Sequence, residues 1–317
     1  MVLDSVRDDR GKACPIKVCV FLSAYNGEKF IEEQMNSILL QVGDFELTLY
    51  IRDDGSQDAT RNILETYATA HSNIFWRKGD NIGSTLSFMD LVYQSKDTVF
   101  DYYAFADQDD VWLSDKIASA IECLKRKTMP ALYSSVKIIV DENLEQLCRE
   151  DVPYEPGLLN VFFRHNAASG CTMVWNNPFH RILTAIHFDW KEGFHDSWAC
   201  KLAEVFGVHI FDRTPHILYR QHGDNQVGSQ GVGWRELYAR LKNFHWGNGG
   251  DATKYAKIIY NQKVVKIPPR YERFLWLIAE CPHTFSNNIR ILRYGTLCKY
   301  PFYEYVWACV RILLGRY

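Results

Sequence analysis

Three carboxylates within four residues, Asp107, Asp109 and Asp110, close the apolar run Tyr102-Tyr103-Ala104-Phe105. Like charges gathered at the end of a strand repel one another and need a compensating partner. Magnesium or manganese supplies one, since hard oxygen ligands suit these ions and the ion can in turn hold a diphosphate. An acidic turn that stays in solvent and leads into the next helix would satisfy the same residues. Asp107-Gln108-Asp109 alone does not separate the two readings.

Two more polar segments follow apolar runs. Ser23-Ala24-Tyr25-Asn26 follows Lys17-Val18-Cys19-Val20-Phe21-Leu22, and Arg52-Asp53-Asp54-Gly55-Ser56 follows Leu47-Thr48-Leu49-Tyr50-Ile51. A carboxylate at Asp54 can accept a hydrogen bond from the imide N–H of a pyrimidine, although Asp-Gly is also a turn former. Tyr25 suits a stacking surface for a base, or a rim aromatic packed on its neighbours. Asn81-Ile82-Gly83 suits a turn before a helix, or a close approach to a nucleotide. Trp112 reads as packing.

These groups need elements that bring them together. The apolar runs read as buried strands, separated by helices expected at about 27–41, 58–70 and 84–95. The first helix carries Ile31, Met35, Ile38 and Leu39 on one face, with Asn26 able to cap its start. A short strand is expected at 73–77 and a further one at 101–106. Ser114 is then expected to start a helix carrying Ile117, Ile121 and Leu124. Strands alternating with helices of this length imply an α/β fold with a doubly wound, mostly parallel sheet. Ligands of such sheets bind beyond the carboxyl ends of the strands, so the three polar segments are expected along one edge.

Composition narrows the class. A chain of 317 residues, 47% hydrophobic and 23% charged, can bury one large core or one core with an appendage. The net charge of −2 hides an asymmetry: residues 1–230 hold 22 Lys and Arg against 33 Asp and Glu, and residues 231–317 hold 14 against 5. The nine cysteines lack a Cys-x-x-Cys pair or regular spacing, which points to reduced thiols and away from zinc. The N-terminus, with Asp4, Arg7, Asp8, Asp9 and Arg10, lacks the apolar stretch of a secretory signal. No apolar run approaches the ~20 residues that span a bilayer. A cytoplasmic protein is expected.

The segments Ser-Ala-Tyr-Asn-Gly-Glu, Arg-Asp-Asp-Gly-Ser-x-Asp-Ala-Thr, Asn-Ile-Gly and Ala-Asp-Gln-Asp-Asp-Val-Trp stand in the order and spacing of family-2 inverting glycosyltransferases with the GT-A fold. Their wording most resembles the rhamnosyltransferases of bacterial cell-surface polysaccharides. The resemblance covers roughly residues 16–230. It implies a GT-A catalytic domain there, after an N-terminal extension at 1–15 and before a basic, aromatic helical region at 231–317.

The resemblance also implies roles. Asp54 is the expected contact of the base, with Ser23, Tyr25, Asn26, Asn81 and Gly83 around the nucleotide. Asp109 is the expected ligand of Mg2+ or Mn2+, and Asp107 would lie near the ribose or the metal's waters. Asp110 would brace the loop or meet the sugar. Family members carry an acid pair at a helix start beyond the central strands. The matching place here reads Gly193-Phe194-His195-Asp196-Ser197-Trp198, with His195 in place of the first acid. Asp196 is left as the single candidate base, and an ordinary helix N-cap is its competing reading.

Tyr219-Arg220-Gln221-His222 follows a strand expected at 216–220. His222 is expected to complete the metal shell or meet the diphosphate, and Arg220 to face phosphate, donor sugar or acceptor. A structural histidine fits the position too. Asn166-Ala167-Ala168-Ser169-Gly170-Cys171-Thr172 resembles the loop on the donor-sugar and acceptor side, which brings Asn166, Gly170 and Cys171 there. Its small residues let backbone approach a sugar closely, or simply allow a close strand crossing.

In the basic tail, Trp234, Leu237, Leu241 and Phe244 fall at helical spacing, as do Tyr303, Val306, Val310 and Leu313. Helices packed on the catalytic domain are one expectation. Peripheral contact with an anionic membrane is the other, suited to a polyprenyl-diphosphate-linked acceptor. No nucleic-acid reader motif accompanies the basic residues, and a homodimer is left open. The combined expectation is transfer of a sugar, L-rhamnose from dTDP-rhamnose, onto a growing cell-surface glycan. Another donor such as UDP-glucose or UDP-galactose, or a non-catalytic sugar-nucleotide-binding subunit, is the alternative. A nucleotidylyltransferase would need a Gly-rich basic phosphate loop that Ser23–Lys29 does not supply.

Overall fold

The computed structural model describes residues 15–150, 157–163, 168–189, 193–222, 251–295, 302–315 and 317. The first half alternates as expected: β1 (Ile16–Ala24), α1 (Ile31–Leu39), β2 (Phe45–Asp53), α2 (Thr60–Ala70), β3 (Ile74–Lys78), α3 (Ser84–Gln94), β4 (Tyr102–Asp107), β5 (Val111–Trp112) and α4 (Lys116–Leu124). Next come β6 (Ala131–Ser135), β7 (Ile138–Val140), β8 (Gln146–Arg149), α5 (Leu158–Phe163), β9 (Val174–Asn176), α6 (Asn177–Ala185), α7 (His195–Phe206), β10 (Val208–Asp212) and β11 (Ile217–Arg220). The tail adds α8 (Asp251–Asn261), α9 (Pro269–Ala279), α10 (Phe285–Ile291) and α11 (Phe302–Leu313).

A seven-stranded sheet runs in the order β10-β6-β9-β4-β1-β2-β3. Strand β1 is central and pairs in parallel with β2 and β4. Its residues from Val18 to Ala24 are all buried, as a parallel strand covered on both faces requires. The three-residue β9 is wedged antiparallel between β4 and β6. The register pairs Ala24 with Asp53 and Ser23 with Asp107, so three polar strand ends share one edge. A second sheet, β5-β11-β7-β8, carries Arg220 and the residues after it towards that edge.

Local departures from the sequence expectation have clear causes. Asn26 does not cap the first helix, which starts after Phe30. It adopts a left-handed φ of 47° and its side chain accepts from Gln57 N–H at 2.8 Å, tying the end of β1 to the loop after β2. Ser114 does not start α4 either; the helix begins at Lys116, after Asp115.

The tail is packed into the catalytic core. Tyr255, Ala256, Ile259, Phe274, Leu275 and Ile278 join the same buried cluster as Phe162, Trp175, Trp198 and Leu202. Each buried Ile, Leu or Phe side chain contributes about 1.5–3 kcal/mol, so these helices add to one hydrophobic core. The expected helix around Trp234–Phe244 lies outside the described residues. In α11 the buried face is Ala308 and Ile312, whereas Val306, expected on it, is exposed. The outer side of α8–α9 is basic, with Lys254, Lys257, Lys263, Lys266, Arg270 and Arg273 exposed. Among the described residues no helix is long and apolar enough to cross a membrane.

Candidate active site

At the end of β2 both acids are hydrogen-bonded within the protein itself. Asp53 accepts from Ser56 N–H at 3.1 Å and from Arg61 Nε at 2.7 Å. Asp54 accepts from Ile82 N–H at 3.0 Å through Oδ1 and from Gly83 N–H at 2.9 Å through Oδ2, and it pairs with buried Arg52. Arg52 also reaches Asp90 at 2.9 Å, Ser87 Oγ at 3.2 Å and the Asp80 carbonyl at 2.9 Å. Ser87 Oγ in turn accepts from Ser23 Oγ at 2.7 Å. This clip folds the Asn81–Gly83 turn over the strand end. Gly55 and Gly83 sit at φ of 90° and 88°, a region that favours glycine.

The end of β4 is arranged differently. Gln108 accepts from Tyr25 N–H at 2.8 Å and donates to the Tyr25 carbonyl at 3.0 Å, which leaves the Tyr25 ring 45% exposed at the rim. Gln34 donates to the Asp107 carbonyl at 2.8 Å. Asp109 Oδ2 lies 2.8 Å from His222 Nε2. Asp110 is fully buried and accepts from Arg220 N–H at 3.1 Å, while its Oδ2 has no hydrogen-bond partner among the described residues.

Asp196 stands in the first turn of α7, not at its N-cap, which is Phe194. The Asp196 carboxylate accepts from Ser197 N–H at 2.6 Å. The 3-10 turn Gly170–Thr172 joins this helix start to the β4 acids. A Cβ on Gly170 would lie 3.5 Å from Asp196 Cβ and 2.5 Å from His195 Nε2, so only glycine fits there without displacement. The next residue, Cys171, has its sulfur within 4.8 Å of carboxylate oxygens of Asp107 and Asp110.

The electrostatics follow from that crowding. Burial, with the charges of Asp109 and Asp196, pushes Asp107 up to about 7. Burial, then Asp109 and Asp107, hold Asp110 well above the usual carboxylate range. Burial also raises the Cys171 thiol, with Asp110 and Asp107 adding to the shift. Lys116, wholly buried with its ammonium 3.8 Å from the Trp112 ring centre, is lowered to about 7 by burial, against the pull of Cys171, Asp110 and Asp107. Burial lowers His195, whose ring stacks on Phe88 at 4.3 Å and meets Phe105 edge-on at 4.9 Å.

The expected residues therefore fall into three sets. Tyr25, Asp107, Asp109, Asp196 and His222 gather around the end of β4, through the Tyr25–Gln108 and Asp109–His222 contacts and the charges of Asp109 and Asp196 on Asp107. Ser23, Asn26 and Asp54 stand at the neighbouring ends of β1 and β2, tied by hydrogen bonds to each other's loops and to the 79–83 turn that holds Asn81 and Gly83. Asp110, expected to brace the loop or meet the sugar, and Cys171 and Arg220, expected on the sugar side, lie beneath the loop, with exposures of 0%, 0% and 2%. Arg220 donates to the Asp109 carbonyl at 2.9 Å and also pairs with the Glu142 carbonyl and the Glu33 carboxylate, its guanidinium 4.5 Å from the Phe30 ring. Asn166 lies outside the described residues.

The model of the family described as Glycosyl transferase family 2 matches residues 19–182. The chain belongs to glycosyl transferase family 2. This glycosyltransferase is 31% identical over 235 residues to the dTDP-rhamnosyl transferase RfbG of Shigella flexneri, covering 69% of this chain and 78% of that one. It is 25% identical over 149 residues to the putative teichuronic acid biosynthesis glycosyltransferase TuaG of Bacillus subtilis, covering 45% and 58%.

Among solved structures, S. aureus TarS 1-349 in complex with UDP-GlcNAc superposes with a TM-score of 0.56 at 16% identity, covering 95% of this chain and 82% of that one. The mannosyltransferase PcManGT from Pyrobaculum calidifontis, in complex with GDP-Man and Mn2+, gives 0.52 at 14% identity, covering 95% and 88%. At such identities the likeness speaks for the GT-A fold.

Four residues that organise this glycosyltransferase's site escaped the sequence reading: Arg52, Gln108, Lys116 and Glu33. Arg52 stands directly beside the Asp-Asp pair, and a basic residue flanking two acids at a strand end was the available signal. Lys116 opens α4 six residues after Asp110, yet nothing local tells a buried lysine from a solvated one. Among the described residues one group of three metal-ligating side chains converges, and a carboxylate–imidazole pair stands beside it. Asp107, Asp110 and Cys171 converge, but Asp110 and Cys171 are sealed off, and the charges of Lys116 and Lys137 already act on the cluster. Asp109 and His222 combine a carboxylate and an imidazole with side-chain exposures of 16% and 9%, a donor set that suits a divalent ion.

Proposed function

We propose that this family-2 glycosyltransferase is an inverting, metal-dependent enzyme that moves L-rhamnose from dTDP-rhamnose onto a growing, polyprenyl-diphosphate-linked cell-surface glycan. The observation that carries the chemistry is the approach of three segments at the end of β4. Asp109 faces His222, and Asp196 lies close enough to Asp107 for its charge to raise that acid. The donor assignment rests on the similarity to a dTDP-rhamnosyl transferase; UDP-glucose or UDP-galactose is the alternative.

In this reading the thymine or uracil ring stacks on exposed Tyr25. Its imide N–H donates to Asp54 Oδ2, which holds one backbone bond and has a second lone pair to offer. Asp107 lies at the ribose. Asp109 and His222 would hold Mg2+ or Mn2+, which when bound supplies positive charge against the departing diphosphate. Arg220 and buried Asp110 act from below, fixing the backbone that carries Asp109. The acceptor hydroxyl attacks the anomeric carbon opposite the diphosphate, and Asp196 takes its proton as the new C–O bond forms. The bond to the diphosphate oxygen breaks and its electron pair leaves with the nucleotide. No covalent sugar–protein intermediate is needed.

The exposed lysines and arginines of α8 and α9, with Trp276 40% and Phe285 65% exposed, support peripheral contact with an anionic membrane carrying the acceptor. Because the tail shares the core, substituting Trp276 and Phe285 by Ser tests this better than deleting it. Vesicle flotation equal to the parent protein would dismiss the contact.

The central test is Asp196→Asn. Donor-nucleotide binding should persist while transfer falls at least ~100-fold; unchanged turnover discards Asp196 as the base. A panel of nucleotide sugars, assayed with and without manganese, tests donor and metal together. Turnover with UDP-glucose but not dTDP-rhamnose would replace the donor, and full turnover in chelator would remove the ion.

A further inference from the structure

We infer that Tyr255, on the C-terminal helix α8, is a positioning residue for Asp196. The inference rests on the reading of Asp196 as the base. Helix α7 begins without a side-chain cap at Phe194. Its first turn therefore depends on what holds the Phe194 backbone. That backbone is gripped from both sides by one hydroxyl. Tyr255 Oη accepts from Phe194 N–H at 2.9 Å and donates to the Phe194 carbonyl at 3.3 Å. The same carbonyl receives Trp198 N–H at 2.9 Å, closing the turn that contains Asp196.

The clamp is rigidly backed. Tyr255 is 3% exposed, and its ring stacks on Phe188 with centroids 5.8 Å apart and on Trp198 at 6.1 Å. The ammonium of Lys201 lies 4.3 Å from that ring and donates to Ser197 Oγ at 2.6 Å, one residue beyond the base. Helix α8 is itself fixed along its inner face by buried Ala252, Ala256 and Ile259, at helical spacing with Tyr255. Thr253 Oγ1 donates to the Tyr317 carbonyl at 2.7 Å. A rigid aromatic on a packed helix holds a backbone segment with little freedom left, and a base displaced by a fraction of an ångström loses catalysis steeply. The basic tail thus enters the chemistry through geometry.

The test is a double-mutant cycle on the full-length chain, with Tyr255→Phe, Asp196→Asn and both together. Transfer kinetics are measured with manganese, and nucleotide binding by titration calorimetry. Phenylalanine keeps the ring packing and removes only the hydroxyl. Tyr255→Phe should lower kcat about 10-fold, with the donor KM and nucleotide affinity within about 2-fold of the parent. In the Asp196→Asn background the same change should cost nothing further, because the group it positions is gone.

Phe188→Leu, which loosens the stack but keeps the hydroxyl, should leave kcat within about 2-fold. An equal loss there would mark Tyr255 as packing alone and overturn the inference. So would a full 10-fold loss persisting in the double variant. Wild-type kcat in Tyr255→Phe beside a crippled Asp196→Asn overturns the inference alone, whereas full turnover in Asp196→Asn overturns the base assignment beneath it.

Discussion

The two acidic strand ends of this glycosyltransferase look alike in sequence and behave oppositely in the fold. Asp53 and Asp54, after β2, are met by two arginines and three backbone N–H groups. Asp107, Asp109 and Asp110, after β4, face one another, with Asp107 and Asp110 both driven above the usual carboxylate range. A charge that the protein has neutralised holds the chain in shape. At the β4 end the acids crowd one another, with Lys116 and Lys137 near and His222 against Asp109, and Asp107 and Asp109 stay partly exposed. The same residue type is a clip in one place and, in the function proposed above, a ligand-facing group in the other, and the partners decide which.

The largest effect should come from breaking the β4 end. Asp109→Asn removes the acid that faces His222. Transfer should fall by about 10³-fold, the order of several kcal/mol of charge stabilisation, together with loss of manganese binding in titration calorimetry. Folding stability should not fall, since one of three mutually repelling carboxylates has gone. A variant that unfolds more easily in urea while keeping its activity would show that Asp109 belongs to the clip class after all.

The clip should answer in the opposite currency. Arg52→Met leaves the Asp54 carboxylate buried without its guanidinium, which should cost about 3 kcal/mol in urea denaturation. Adding Asp54→Asn should recover part of that loss, because no uncompensated charge then remains. Stability within about 0.5 kcal/mol of the parent for Arg52→Met would mean that the backbone N–H groups of Ile82 and Gly83 suffice alone. The distinction between the two strand ends would then be one of degree.

How far the sequence carried this picture follows from which contacts are local. Strands β1, β2 and β4 were legible as apolar runs, and their shared edge followed from the parallel-sheet rule. The three-residue β9 was not, since Val174-Trp175-Asn176 is too short to show a period. The neutralising partners were the least legible part. Arg220 donates to the Asp109 carbonyl across 111 positions and Gln108 meets Tyr25 across 83, and no spacing rule links residues so distant. For the same reason Arg220 read as a substrate contact: a guanidinium beside a histidine suggests phosphate until its nitrogens are seen committed elsewhere. The tail left two expectations, packing on the catalytic domain or membrane contact, because composition records its basic outer face, while Tyr255, Phe274 and Leu275 turn inward.

The finest comparison is in pH. Asp107, raised to about 7 in the fold, has an ordinary value near 3.9 once unfolded. A carboxyl whose folded value lies above its unfolded one favours the fold when protonated. Its contribution is complete below the unfolded value and is lost as pH rises through the folded one. Buried His180 and His209 run the other way. Burial lowers them to about 4 and about 3, so their contribution is present above roughly 6.5 and is lost as pH falls towards those values. The sum of these opposed slopes says little, but subtraction isolates the acid. Comparing the parent with Asp107→Asn in chelator cancels the histidines. Between pH 7 and 5 the parent should gain on the variant by up to about 1.4 kcal/mol per unit. Parallel curves would mean that Asp107 is already neutralised, and that the contrast with the β2 end stops at Asp109 and Asp110.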